Sequence, residues 1–204
     1  MYEKLPNLVI GFHGCTKETH ERVLTYHEEL KASANSYDWL GNGIYFWENN
    51  LIRAKEWAER RYGDDAAVIG AVIDLGYCLN LTDSASENEL KDGYEMLKLL
   101  CEIAGEELPK NRSSKKTKDI LLRDLDCAVI QQIQFGNGHY DMSKDIESSA
   151  PKYDSVRGVF TEGEEPYPGS AFRSKTHIQI CVCNPNCIKG YFEPRSEKKE
   201  YRMP

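Results

Sequence analysis

The stretch Gly41-Asn42-Gly43-Ile44-Tyr45-Phe46-Trp47-Glu48-Asn49-Asn50, continued to Ala58, constrains this chain more than any other. Glycines punctuate a turn, and Ile44 to Trp47 then read as a short aromatic strand. A helical period follows, in which Ile52, Ala54, Trp57 and Ala58 share a face. Glycines ahead of a strand let the backbone come close to a flat or charged group, because no Cβ intervenes. Gly43 is therefore a candidate ligand contact, and Tyr45 can offer its ring to a planar ligand.

Upstream, Leu8 to Phe12 reads as a buried strand ending at His13-Gly14. Gly14 permits close backbone approach and His13 offers a donor. A strand-end histidine hydrogen-bonded within the fold is the alternative. Thr16 or Thr19 caps a helix expected through Val23, Tyr26 and Leu30, which would carry His20 and His27 on an exposed face. Ala66 to Leu75 is almost wholly apolar, as in a central strand covered on both faces, and Cys78 to Thr82 is expected to continue it.

From Ser84 the pattern becomes helical. Ser86 to Ile103 is amphipathic, and a second helix is expected from Thr117 or Asp119 through Ile120, Leu121 and Ile133. Together with a polar loop from Phe135 to Pro151, they read as a helical insertion over 84–151 within one domain spanning 1–204. Tyr153 to Phe160 is a strand. The loop after it carries Glu162, Glu164 and Glu165 among prolines and glycines. In the alternating segment around His177-Ile178-Gln179-Ile180-Cys181-Val182, His177 and Gln179 point one way with Cys181. Polar groups on a core-grade strand need partners or a ligand.

The 204 residues suffice for one core, and no apolar run is long enough to span a bilayer. The first residues lack a signal-peptide core, so a cytoplasmic protein away from membranes is expected. Seven cysteines in mostly apolar runs suggest reduced thiols, and no metal is expected, although Cys181, Cys183 and Cys187 lie close in sequence. The net charge of −7 opposes non-specific phosphate binding, against which stands one basic run, 110–118.

Strand plus His13-Gly14, turn plus Gly43-Ile44-Tyr45-Phe46 plus helix, and a late strand with polar residues occur in that order. This order resembles the ADP-ribosyltransferases of the poly(ADP-ribose) polymerase and diphtheria-toxin type, which carry a His-Tyr-Glu pattern. The resemblance covers about half the chain and implies an α+β fold with a split, two-sheet core. It implies NAD as co-substrate: His13 on a ribose hydroxyl, Gly14 on the nicotinamide amide and Tyr45 stacked on the ring. Arg53 falls where the family has a small polar nicotinamide contact.

The third motif departs from the pattern. His177, or alternatively Gln179, stands where the family has its glutamate. That departure implies mono- rather than poly-transfer, with a carboxylate supplied by the nearby loop of Glu162, Glu164 and Glu165, Glu165 being the expected one. Lys17, Arg53 and Arg173 are candidates for the phosphates. The expected activity is transfer of ADP-ribose to RNA, DNA or protein. By family analogy the chain suits the toxin of a toxin–antitoxin or anti-phage system, held in check by an antitoxin. Two alternatives share the fold. One is a non-catalytic NAD or ADP-ribose reader. The other is an RNA 2′-phosphotransferase, whose basic phosphate site is missing from this sequence.

Overall fold

The computed structural model describes residues 8–113, 119–137, 151–196 and 199–201. The fold is α+β. Among the described residues seven strands form a mixed sheet, two more form a small separate sheet, and four helices flank them. The strands are β1 (Val9–Thr16), β2 (Ile44–Glu48), β3 (Ala66–Ile73), β4 (Cys78–Asn80), β5 (Asn111–Ser113), β6 (Ile120–Arg123), β7 (Ser155–Phe160), β8 (His177–Val182) and β9 (Ile188–Phe192). The helices are α1 (Lys17–Thr25), α2 (Leu51–Tyr62), α3 (Ser86–Ala104) and α4 (Asp124–Gly136).

The large sheet runs β4-β7-β8-β2-β1-β3-β9, and only β4–β7 is parallel. Its middle is its weakest seam. β1 pairs with β3 through eight residue pairs, but with β2 only through Gly11↔Glu48 and Phe12↔Trp47. Beyond Phe12 the two central strands part.

Alternation along β2 distributes its side chains between the two faces. Ile44 and Phe46 join Val23 of α1, Ile69 and Ile180 in one cluster. Tyr45 and Trp47 face the opposite side, where two further clusters lie. One holds Trp39, Val129, Ile130 and Phe160 under α4; the other holds Ala54 and Ala58 of α2. α2 and the α3–α4 hairpin thus sit over the same face on either side of β2.

Local signals explain the helix starts. The Thr16 hydroxyl accepts from Thr19 N at 3.2 Å, and Asn50 Oδ1 accepts from Arg53 N at 3.1 Å. Several expectations need correction. α1 stops at Thr25, so His27 lies outside it with φ +56°, and Leu30 is buried from the following loop. Ile52 is 70% exposed; only Ala54 and Ala58 of the expected α2 face are buried in the core. Cys78–Asn80 does not prolong β3. Gly76, with φ +59°, turns the chain, and β4 forms the far edge of the sheet. Nor is β3 central: it stands next to the edge strand β9. Ile120 and Leu121 begin a strand rather than a helix, because β6 pairs with β5 before α4 starts. The expected loop over 138–150 and the part of the basic run over 114–118 lie outside the described residues.

The seven cysteines are free thiols. Among the described residues no cluster of His, Cys, Asp or Glu is placed to hold a metal ion, and no helix is long and apolar enough to cross a membrane.

Candidate functional site

A cleft of about 500 Å³ opens where β1 and β2 separate. Its lining includes His13, Gly14, Gly43, Tyr45, Arg53, His177 and Gln179, which sequence analysis had drawn from three separate segments. A second cavity of about 260 Å³ beside α1 shares His13, Lys31 and Tyr62 with it.

His13 stands at the point of separation. Its Nδ1 lies 2.8 Å from the Tyr45 carbonyl oxygen, so the imidazole replaces a ladder hydrogen bond that the parted strands no longer make. A carbonyl only accepts, so Nδ1 carries the hydrogen and Nε2 of the neutral ring is left as an acceptor. Burial lowers the His13 pKa, and the bond to Tyr45 opposes this only in part. The ring is suited to accept from a ligand hydroxyl. The hydrogen bond within the fold is thus present, and the nitrogen left over is an acceptor rather than the expected donor.

Tyr45 is fixed at its far end. Its hydroxyl donates to Gly41 O at 2.8 Å and accepts from Leu40 N at 3.0 Å. Burial raises its pKa, so the phenol stays neutral. Positive φ at Gly41 (+84°) turns the backbone so that this carbonyl meets the hydroxyl. Gly14 and Gly43 have packing reasons of their own. A Cβ at Gly14 would meet Ala54 O and Trp57 at 3.0 Å, and one at Gly43 would meet Val182 O at 2.5 Å.

The late strand separates its two candidates. Gln179 Oε1 accepts from Trp39 Nε1 at 2.7 Å, which ties its carboxamide to the cleft wall. His177 Nδ1 lies 2.6 Å from Lys175 O and so donates to it, and the ring stacks on Phe160 with centroids 5.5 Å apart. His177 Nε2 is buried with no hydrogen-bond partner, as are Trp47 Nε1 and Arg53 Nε. All three residues line the cleft. Burial lowers the His177 pKa, and the nearby Arg53 charge lowers it further.

The expected carboxylate lies off the cleft. Glu165 is exposed, accepts from Gly169 N at 3.1 Å, lies 3.7 Å from Arg173 and does not line the cleft. Glu162 is the loop carboxylate that does. Its Oε2 accepts from Arg53 Nη2 at 2.9 Å, and its Oε1 lies 3.6 Å from Arg60. Both Arg53 and Glu162 are buried. Arg53 also pairs with Glu56, so its guanidinium is committed to carboxylates rather than offered as a small polar contact. Of the phosphate candidates Lys17, Arg53 and Arg173, only Arg53 lines the cleft. Trp39, Trp57, Arg60 and Arg61 line it too, and no motif in the sequence marks them as ligand contacts. The signal available for the last three was their spacing on α2, whose Ala54–Ala58 side is buried and whose Trp57–Arg61 side turns to the cleft.

Two neutral imidazoles, His177 buried and His13 partly buried, make stability depend on pH. Their folded pKa values lie below the ordinary histidine value of about 6.5. Above that value neither state is protonated and burial carries no protonation penalty. As pH falls through it, the unfolded chain binds protons that the folded chain does not, so stability is lost. The melting temperature is expected to fall between about pH 7.5 and pH 5.5, and less steeply in His177→Gln. Equal slopes in the two proteins would show that His177 does not couple to folding.

No protein-family profile matches the chain. No solved structure matches it either. An uncharacterized protein of Methanocaldococcus jannaschii is 24% identical over 199 aligned residues, which cover 87% of this chain and 83% of that relative.

Proposed function

We propose that this protein is an NAD-dependent mono-ADP-ribosyltransferase whose split central sheet forms the nucleotide cleft. One observation carries the reading: a single cleft at the parting of β1 and β2 holds both His13 and Tyr45, bridged at 2.8 Å. A dinucleotide in such a cleft would give a ribose hydroxyl to His13 Nε2 and lay its nicotinamide against the fixed Tyr45 ring. Loss of nicotinamide builds positive charge on the ribose, and nicotinamide leaves neutral. The protein's task is to hold the reactants in line, which can contribute on the order of 7–11 kcal/mol.

On the acceptor side, His177 Nε2 is the unpartnered base, whereas the Gln179 oxygen and both Glu162 oxygens are already engaged. The test is release of nicotinamide from NAD by the purified chain. His177→Ala is expected to lower kcat about 10²- to 10⁴-fold, the range for a general base, with NAD affinity little changed. A wild-type kcat in that variant would remove His177 from the chemistry.

The absence of a carboxylate at the His177 position keeps a second reading, a non-catalytic reader of NAD or ADP-ribose. Binding of NAD without any nicotinamide release would favour it over the transferase.

A further inference from the structure

The chain as a whole is acidic, with a net charge of −7. The cleft reverses that sign. Its lining holds the cations Lys31, Arg53, Arg60 and Arg61 against the carboxylates Asp38 and Glu162. Both carboxylates are engaged internally. Asp38 accepts from Ser33 Oγ at 2.6 Å and Asn35 N at 2.8 Å, and Glu162 accepts from Arg53. Lys31 and Arg61 are exposed and form no ion pair within 4.0 Å among the described residues.

Arg61 lies instead over aromatic faces, its guanidinium carbon 5.5 Å from the Trp57 ring centroid and 5.7 Å from that of Tyr62. Tyr37, 39% exposed, lines the same cleft from the loop before β2. Of the other acidic residues of this region, Glu56, Glu59, Asp64 and Asp65 lie outside the lining, and Glu28 and Glu29 line the neighbouring cavity beside Lys31, where Glu28 is engaged by Arg22. Exposed cations and aromatic rings therefore share one lining. NAD carries two phosphate charges against one pyridinium charge, so its binding would leave positive charge in place.

Cations interleaved with rings are suited to a nucleic-acid strand whose bases are free to stack. Phosphates meet the cations and bases stack on the rings. A duplex hides its base faces, and an acidic peptide would engage the cations while leaving the rings unused. We infer that the acceptor is a single-stranded nucleic acid, held at the cleft opening by Lys31, Arg61 and the rings of Tyr37, Trp57 and Tyr62. This inference rests on the transferase reading. In the reaction a nitrogen or oxygen of the acceptor nucleotide bonds to C1′ of the nicotinamide-bearing ribose. The bond from C1′ to nicotinamide breaks, its electron pair stays with the pyridine nitrogen, and the nucleophile's proton passes to His177 Nε2. Nicotinamide, the modified nucleotide and one proton are the products.

The experiment has two arms. In the first, without NAD, labelled single-stranded RNA, single-stranded DNA and a duplex are titrated with the full chain by fluorescence anisotropy. Single strands of one or both kinds are expected to bind more tightly than the duplex. The Lys31→Ala/Arg61→Ala double variant is expected to bind about tenfold more weakly. Its salt dependence is expected to be shallower by about 1.4, at about 0.7 per lost phosphate contact on a single strand. In the second arm, NAD is added with oligonucleotide and bulk protein together, and mass spectrometry locates the ADP-ribose. An adduct on the oligonucleotide supports the inference. It is overturned by wild-type protein that fails to bind single strands, by unchanged affinity in a double variant that melts like wild type, or by adducts confined to protein. Strand binding with no nicotinamide release under any condition overturns the transferase reading and leaves the binding surface standing.

Discussion

Tyr45→Ala is expected to reduce nicotinamide release about 100-fold or more, the usual consequence of losing positioning at a reacting centre. The ring is the element at stake, and Tyr45→Phe separates it from the hydroxyl. Phenylalanine keeps the face that would meet nicotinamide but leaves Leu40 N without its acceptor and Gly41 O without its donor. Its expected signature is a stability loss of about 1–3 kcal/mol with turnover largely retained. The alanine variant should show reduced turnover even at temperatures where it is fully folded. Wild-type turnover in folded Tyr45→Ala would end the stacking role, and with it the main support for the proposed activity.

Glu162→Ala is expected to give the largest loss of stability. Arg53 is buried, and the Glu162 carboxylate at 2.9 Å is its inward partner; the remaining one, Glu56, is exposed. Removing one side of a buried pair costs about 3–5 kcal/mol because the other charge stays behind. For a chain of this size that is a drop in melting temperature on the order of 10 °C. Replacing both partners with apolar residues, as in Arg53→Met/Glu162→Leu, should recover most of the loss. A thermal melt of the two variants decides the matter. If Glu162→Ala melts with wild type, the ion pair does not brace α2 against the loop after β7.

The same pair bears on the chemistry. Glu162 lies 109 positions from Arg53 in the chain, and the two meet at the cleft wall. Both Glu162 oxygens are taken up by arginines, Arg53 and Arg60, so the carboxylate serves to hold Arg53 in place. The pair acts on His177 with opposite signs: the Arg53 charge lowers its pKa and the Glu162 charge raises it.

Much of this arrangement was legible before the fold was known. Glycine spacing and aromatic content marked the turn and strand at Gly41–Trp47, because a strand-entry glycine and an aromatic strand are local features. Alternation assigned His177 and Gln179 to the face they share with Cys181, and the structure keeps them there. Thr16 as a helix cap was equally local.

The misplaced elements failed for tertiary reasons. Ile120 and Leu121 fit a helix by period, but pairing with Asn111–Ser113 draws them into a strand. Cys78 follows an apolar run, but the Gly76 turn sends it to β7 at the opposite edge. Choosing among Glu162, Glu164 and Glu165 was beyond any local rule. An irregular loop has no period to say which carboxylate turns inward, and the buried Arg53 on a distant helix makes that choice. The sequence by itself determined which residue types stand at each strand end and which face of β8 is polar, because period-two alternation and glycine freedom act over a few residues. The tertiary structure alone decided that β1 and β2 part after two residue pairs, that His13 bridges the gap, and that Arg61 and its rings line the cleft. Those outcomes depend on contacts between segments far apart in the chain, where packing and charge pairing outweigh local preference.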